Sequence, residues 1–250
     1  MRGSNPTLNE GAFERMTITG GAYAQPFTVN GVIYKTAGLL ALVVAAAAFM
    51  WNRIQSNPGD LSSVMPLLIA GFVVGLILCL VISFVPATAP FLSPIYALAQ
   101  GAVLGTISSA FELSPKYEGL TMQAVALTFG VFVAMLLAYR AGLIRATEKF
   151  KSIVIGATMG ICLTYLISFG LRMFGIQMPF IHDATPIGIG FSLFVVVLAS
   201  MNLILDFDFI DQAASKGADK KMEWFGAFGL TVTLIWLYIE ILRLLAKLRR

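Results

Sequence analysis

An uninterrupted apolar run at residues 67–85, LLIAGFVVGLILCLVISFV, constrains this chain more than any other feature. The run contains neither a charged residue nor a proline. A helix rises about 1.5 Å per residue, so about 20 apolar residues cross a hydrocarbon core about 30 Å thick. A soluble core helix rarely needs so long a stretch of apolar surface. The run therefore predicts a transmembrane helix.

Six further apolar runs are of similar length, and all seven together predict an all-α polytopic membrane protein with seven transmembrane helices. Only 12% of the residues are charged, against about 25% in ordinary soluble domains. We predict a flexible polar arm over residues 1–30, a single membrane domain over 31–250 and a polar loop over 206–221. The spans are predicted at residues 34–51, 65–85, 91–110, 120–139, 153–171, 185–205 and 224–245.

The distribution of Lys and Arg predicts the orientation, because short cytoplasmic loops carry an excess of both. Basic residues cluster in loops on the side of the N-terminus, at positions 2, 15, 35, 140, 145, 149, 151, 216, 220 and 221. The opposite loops hold basic residues only at 53, 116 and 172, so a cytoplasmic N-terminus is predicted. The basic tail at 243–250 breaks this pattern. Either the last helix crosses fully or it is re-entrant.

The sequence also predicts where the protein is located and what it binds. The first 33 residues lack the apolar segment of a secretory signal peptide, which favours the inner membrane of a bacterium. The net charge of +4 fits basic loops that face an anionic leaflet. No cluster of basic and aromatic residues indicates nucleic-acid binding. The lipid bilayer is the expected partner.

Three pairs of glycines have the GxxxG spacing, which lets two helix backbones approach closely in a membrane. We predict that these pairs pack helices rather than act as hinges. They are Gly71 and Gly75, Gly101 and Gly105, and Gly156 and Gly160.

The acidic sequence LDFDFID closes the sixth run and is the main candidate for ion chemistry. Asp208 and Asp211 are three residues apart and share a helix face, whereas Asn202 and Asp206 share another. A carboxylate buried near a second one can titrate near neutral pH, and Asp206 or Asp208 could coordinate Ca²⁺ through oxygen. The alternative is that the helix has already emerged and the aspartates are solvated.

Glu240 lies inside the seventh run and is the second candidate. It either pairs with Arg243 three residues on or reaches a polar interior. No nucleophile, zinc or nucleotide-binding motif is present, so we expect neither an enzyme nor a bound cofactor. Cys79 and Cys162 are read as small apolar residues.

Several segments resemble the bacterial branch of the Bax inhibitor family of membrane proteins. They are NGVIYKTAGLL at 30–40, SPIYALAQGAVLGTISSAFE at 93–112, NLILDFDFID at 202–211 and YIEILRLL at 238–245. The resemblance implies a seven-helix bundle with the last helix at its centre. It also implies a Ca²⁺ leak, a role in stress survival and modulation of membrane proteases.

The resemblance further implies a pH sensor made of two aspartates, one closing helix six and one in helix seven. The first matches Asp206 or Asp208. If the arginine of the family's last helix is Arg243, the second position is occupied by Thr233, which cannot titrate. Two functions follow as expectations. One is a pH-sensitive Ca²⁺ leak channel, and the other is a non-transporting regulator that binds other membrane proteins or proteases.

Overall fold

Seven long helices form the structure, a computed structural model that describes residues 26–56, 61–175 and 183–249. Each helix is long and apolar enough to cross a membrane, which confirms the predicted all-α membrane fold. Residues 1–25 of the predicted arm lie outside the described residues. The helices are α1 (Val29–Ser56), α2 (Leu61–Phe84), α3 (Ala89–Glu112), α4 (Leu120–Arg140), α5 (Glu148–Met173), α6 (Pro186–Ser215) and α7 (Met222–Leu248).

Helix α6 is the main departure from the predicted boundaries, since it runs ten residues beyond position 205. The prediction of a polar loop over 206–221 is wrong for this part. Phe207, Ile210 and Ala213 are buried and recur at three-residue spacing, so they keep one face of the helix against the bundle. The chain leaves the helix at Gly217, whose φ of 65° lies in the left-handed region that glycine adopts without strain. The LDFDFID aspartates therefore lie on a helix.

Helix α7 is the centre of the bundle, as the resemblance implied. It packs against α1, α3, α4 and α6. Of its most apolar stretch 83% is buried, against 11% for α2. The rings of Phe225 and Phe228 are fully buried, and Phe228 meets Tyr96 of α3 edge to face at 5.0 Å. Since other helices surround it, α7 contacts protein on nearly every side.

The three GxxxG pairs have different surroundings. A Cβ atom at Gly101 or Gly105 would overlap the backbone of α1 at Val43 or Ala47, so α1 and α3 are in direct backbone contact. Gly71 and Gly75 face side chains of α3. Gly156 and Gly160 of α5 have open space where a Cβ atom would be built. Two pairs thus pack helices within the bundle, and the third faces outward.

Candidate functional site

Asp206 is the most deeply buried aspartate in the described part of the chain, with 1% of its surface exposed. It lies nine residues before the end of α6, which places it about 13 Å inside the helix terminus. Leu203, Phe207 and Ile210 on the same helix are buried beside it. The expectation that all three aspartates are solvated is therefore wrong for Asp206. An ionisable side chain at this depth is costly, which makes it a functional candidate.

Asp208 and Asp211 lie nearer the end of α6, where the surroundings are polar. The Nζ atom of Lys151 on α5 is 2.8 Å from Asp208 Oδ2, and Gln212 Nε2 donates to the same oxygen at 2.5 Å. Asp211 is exposed. Both aspartates line one open cavity of about 530 Å³ together with Tyr139, Arg140, Ile144, Arg145, Ala146 and Thr147. The charge of Asp208 is balanced by a lysine, and the cavity carries both signs of charge.

Asn202 is buried on α6, and its side-chain amide nitrogen forms hydrogen bonds with α5 and with its own helix. Its Nδ2 atom donates to Thr158 Oγ1 on α5 at 2.9 Å and to the Leu198 carbonyl at 2.9 Å. The amide thus joins α6 to α5.

Glu240 lies on α7 with 1% of its side chain exposed, and its partners come from two helices. Arg243 Nη1 is 2.9 Å from each carboxylate oxygen, as the three-residue spacing allowed. Tyr165 of α5 donates its hydroxyl to Glu240 Oε1 at 3.0 Å and accepts from Arg243 Nη1 at 2.6 Å. The guanidinium also lies over the Tyr165 ring, 5.1 Å from its centroid. Glu240 is therefore held in a three-residue cluster between α5 and α7.

Glu223 is a buried carboxylate that was not among the site residues predicted from the sequence. It lies in the first turn of α7 and is fully buried, and Lys35 of α1 forms an ion pair with it. The backbone N–H and the hydroxyl of Thr28 each donate to Glu223 Oε1 at 2.9 Å. Lys35 and Glu223 each lie at the edge of an apolar run. That position was the only signal in the sequence, and it did not indicate their pairing.

Comparison with known proteins assigns the chain to a family. The family model described as Bax inhibitor 1 like matches residues 5–250. The chain belongs to the Bax inhibitor 1 like family. No curated protein and no solved structure matches it. The match confirms the resemblance to the Bax inhibitor family that the sequence indicated.

If Arg243 of this Bax inhibitor 1 like protein matches the arginine of the family's last helix, the position implied for the second aspartate of the pH sensor is Thr233 of α7. Thr233 is buried, with 4% of its surface exposed. Its hydroxyl donates to the Gly229 carbonyl one turn earlier at 3.2 Å. Such a back-bonded hydroxyl neither titrates nor carries charge. With this alignment the prediction of an incomplete two-aspartate sensor stands, and Glu240 is held by Arg243 and Tyr165.

Lys247 near the other end of α7 is also buried. Its Nζ atom donates to the Gly188 carbonyl at 2.9 Å and to Ser192 Oγ at 2.8 Å, both in the first turns of α6. Glu223 meets the start of α1 while Lys247 meets the start of α6, so α7 runs unbroken through the bundle from one end to the other. A re-entrant last helix does not fit this path.

Across the described ranges, no three His, Cys, Asp or Glu side chains gather closely enough to hold a metal ion. The Ca²⁺ at Asp206 or Asp208 stays a prediction.

Proposed function

We propose that this Bax inhibitor 1 like protein is a pH-sensitive Ca²⁺ leak channel in which Asp206 is the proton-sensitive group. The observation that carries the proposal is the burial of Asp206 inside the bundle, on a membrane-spanning helix that packs against the central α7. An ionised carboxylate there attracts a hard cation, and its protonated form does not. Change of its protonation state with pH would change the flux.

The sequence left Asp206 and Asp208 as alternatives, and their surroundings favour Asp206. Asp208 already has a cationic partner in Lys151 at 2.8 Å. A Ca²⁺ ion at Asp208 would have to displace that ammonium group. Asp211 is exposed near the end of α6, where it does not share the buried surroundings of Asp206.

The test is Ca²⁺ flux into proteoliposomes that contain the purified protein, measured at mildly acidic, neutral and mildly basic pH. We expect a flux that changes with pH in the wild type and loses that change in Asp206→Asn. Asp211→Asn is the matched control, since it removes the same charge from the same helix at an exposed position. A pH-dependent flux that persists in Asp206→Asn would refute the role of Asp206.

The second candidate function is a non-transporting regulator that binds other membrane proteins or proteases. Two observations favour it. Thr233 leaves the two-aspartate sensor incomplete, and the Gly156–Gly160 pair faces outward from α5 with open space beside each glycine. Such a face accepts a second transmembrane helix at close range.

Leu163 is exposed on the same face of α5 as Gly156 and Gly160, so Leu163→Cys gives a thiol with which this alternative can be tested. Thiol crosslinking in native membranes would recover a partner through that cysteine if this face is an interface, and Gly156→Leu with Gly160→Leu would abolish it. A folded protein that gives no Ca²⁺ flux at any pH and yields such a partner would favour the regulator. Recovery of the protein alone would count against it.

The proposal places the protein in a bacterial inner membrane with its N-terminus in the cytoplasm, where it contributes to stress survival. The excess of basic residues in loops on the N-terminal side supports this orientation. Because α7 runs through the bundle, its basic tail then lies on the opposite side from the N-terminus. We propose no catalytic activity and no resident cofactor.

A further inference from the structure

Helix α5 lies at the edge of the bundle, since only 17% of its most apolar stretch is buried. In the described part of the chain its principal packing neighbour is α6. The buried apolar residues of α5 belong to a small cluster that is separate from the main core and consists of Val154, Ile161, Val195, Leu198 and Leu205. A small apolar contact therefore joins α5 to the bundle.

A row of half-buried polar side chains follows α5 beside this apolar contact. Lys151, Thr158 and Tyr165 recur every seven residues, about 20° short of two full turns, so they share one face of the helix. The row extends about 21 Å along the helix axis. Each member contacts a polar side chain of α6 or α7, and the partners in the same order are Asp208, Asn202 and Glu240. Polar contacts therefore line the inner face of α5 from one end to the other.

The outer helix α2 shows that helices of this bundle pack without such contacts. It is even more exposed than α5, with 11% of its most apolar stretch buried, yet it contains no charged residue. It packs on α3 through Gly71 and Gly75. Polar and ionisable side chains at membrane depth are costly and are typical of ion paths. The row on α5 therefore indicates more than helix packing.

One end of the row lies at the open polar cavity of about 530 Å³ described above. Asp208, the partner of Lys151, lines this cavity together with Asp211. Arg140 and Arg145 line it too, but both are exposed, so salt screens their charges. Because Asp208 keeps 20% of its side chain exposed, water and ions reach the row from this end.

Oxygen atoms of side chains follow one another from the cavity towards the other end of the bundle. Asp206 and Asn202 lie one turn apart on one face of α6, and Thr158 Oγ1 is 2.9 Å from Asn202 Nδ2. Two turns further along α5, Tyr165 bonds the carboxylate of Glu240. Hard cations such as Ca²⁺ prefer oxygen ligands. The row and its partners therefore offer the atoms that such an ion needs at successive depths.

We propose that Ca²⁺ crosses the membrane along this row, between α5 and the pair of helices α6 and α7, when α5 moves away from α6. The proposal rests on the Ca²⁺ leak proposed above and adds its path. In the present arrangement the row is closed, because Lys151 is paired with Asp208 and the Asn202 amide is bonded to Thr158. Since Lys151 and Thr158 both belong to α5, movement of that helix releases both α6 groups at once.

The experiment compares two neighbouring positions on α5, in full-length protein whose native Cys79 and Cys162 are replaced by alanine. Thr158→Cys places a thiol in the row, whereas Met159→Cys places it on the outer surface, where 49% of Met159 is exposed. A cationic, membrane-impermeant methanethiosulfonate reaches a thiol only through water. In proteoliposomes we expect this reagent to modify the Thr158→Cys variant and stop its Ca²⁺ flux, and to leave the Met159→Cys variant unmodified.

The path and the leak fail in different ways in this experiment. A wild type without Ca²⁺ flux would remove the leak and its path together. A flux that persists while the Thr158→Cys variant stays unmodified would overturn the path alone. The row would then only pack α5 on α6.

A reversible crosslink tests the movement of α5. Thr158→Cys combined with Asn202→Cys places two thiols on facing helices, at side chains whose polar atoms are 2.9 Å apart in the wild type. After oxidation to a disulfide, we expect the Ca²⁺ flux to fall to the level of empty vesicles and to return when a reducing agent is added. Each single variant under the same oxidant is the control and should keep its flux. Undiminished flux through the crosslinked protein would show that α5 does not leave α6.

Discussion

The ion pair between Lys35 of α1 and Glu223 of α7 gives the sharpest prediction about stability. Replacement of Lys35 by Met leaves a fully buried carboxylate that keeps only the two hydrogen bonds from Thr28. Loss of one partner from a buried ion pair costs about 3–5 kcal/mol. Lys35 keeps 17% of its side chain exposed, and Glu223 can take up a proton instead, so we expect a loss near 3 kcal/mol at the low end of that range.

The double variant Lys35→Met with Glu223→Met tests whether the loss of stability comes from the unpaired carboxylate. It removes both charges and leaves no uncompensated group in the interior. Replacement of a whole buried pair by apolar residues is often neutral or stabilising by about 1–4 kcal/mol. The double variant should therefore be more stable than Lys35→Met alone.

Gly31 of α1 lies directly against the Glu223 carboxylate of the same ion pair. A Cβ atom built there overlaps the Glu223 carboxylate, so Gly31→Ala must displace the acid from its partners. Gly38 is the control, because it lies on the same helix with open space at its Cβ position. We expect Gly31→Ala to destabilise the protein and Gly38→Ala to leave it unchanged or slightly more stable.

The assay is equilibrium unfolding in mixed micelles titrated with a denaturing detergent. The exposed Lys149 provides a control for the lost charge, and Lys149→Met should change the unfolding free energy by no more than about 0.5 kcal/mol. If Lys35→Met proves no more damaging than Lys149→Met, the buried pair does not hold α1 to α7, and the reasoning fails.

Three further predictions follow from the packing and from the altered sensor. In the same titration, Gly105→Ala should cost about 1–3 kcal/mol because its Cβ meets the α1 backbone, whereas Gly156→Ala should gain up to about 1 kcal/mol of helix propensity. Tyr165→Phe removes the hydroxyl that bonds Glu240 and should cost about 1–3 kcal/mol by that titration. Thr233→Asp restores the second carboxyl implied by the family, and Ca²⁺ flux in proteoliposomes should then depend more steeply on pH; an unchanged pH profile would remove Thr233 from the explanation.

The sequence was sufficient for the fold because hydropathy and length decide which segments cross a membrane. It was less accurate at the end of α6, where Asp206 and Asp208 lower the hydropathy although Phe207 and Ile210 keep the helix against the bundle. Hydropathy averages over both faces of a helix, so it detects the loss of apolar character before the helix ends.

Whether a contact between site residues could be predicted depended on how far apart the two residues lie in the sequence. The Glu240–Arg243 pair could be predicted because three residues on a helix bring two side chains together. The pairing of Lys35 with Glu223 could not, since 188 residues separate them and only the packing of α1 on α7 brings them into contact. The GxxxG pairs show the same limit. Their spacing is identical, yet Gly105 touches a neighbouring backbone and Gly156 does not.

The ionisable residues of α7 fix this helix at three depths and against three different helices. Glu223 binds α1 near one end, Glu240 binds α5 through Tyr165, and Lys247 binds the start of α6 near the other end. Each contact is buried, so its loss leaves an uncompensated polar group inside the bundle. Substitutions at these three positions should therefore act first on stability. Asp206 lies on α6, and Asp206→Asn changes the proposed proton-sensitive group while it leaves these three contacts in place. We therefore expect a change in the pH dependence of Ca²⁺ flux at Asp206 and a loss of stability at Glu223, Glu240 and Lys247.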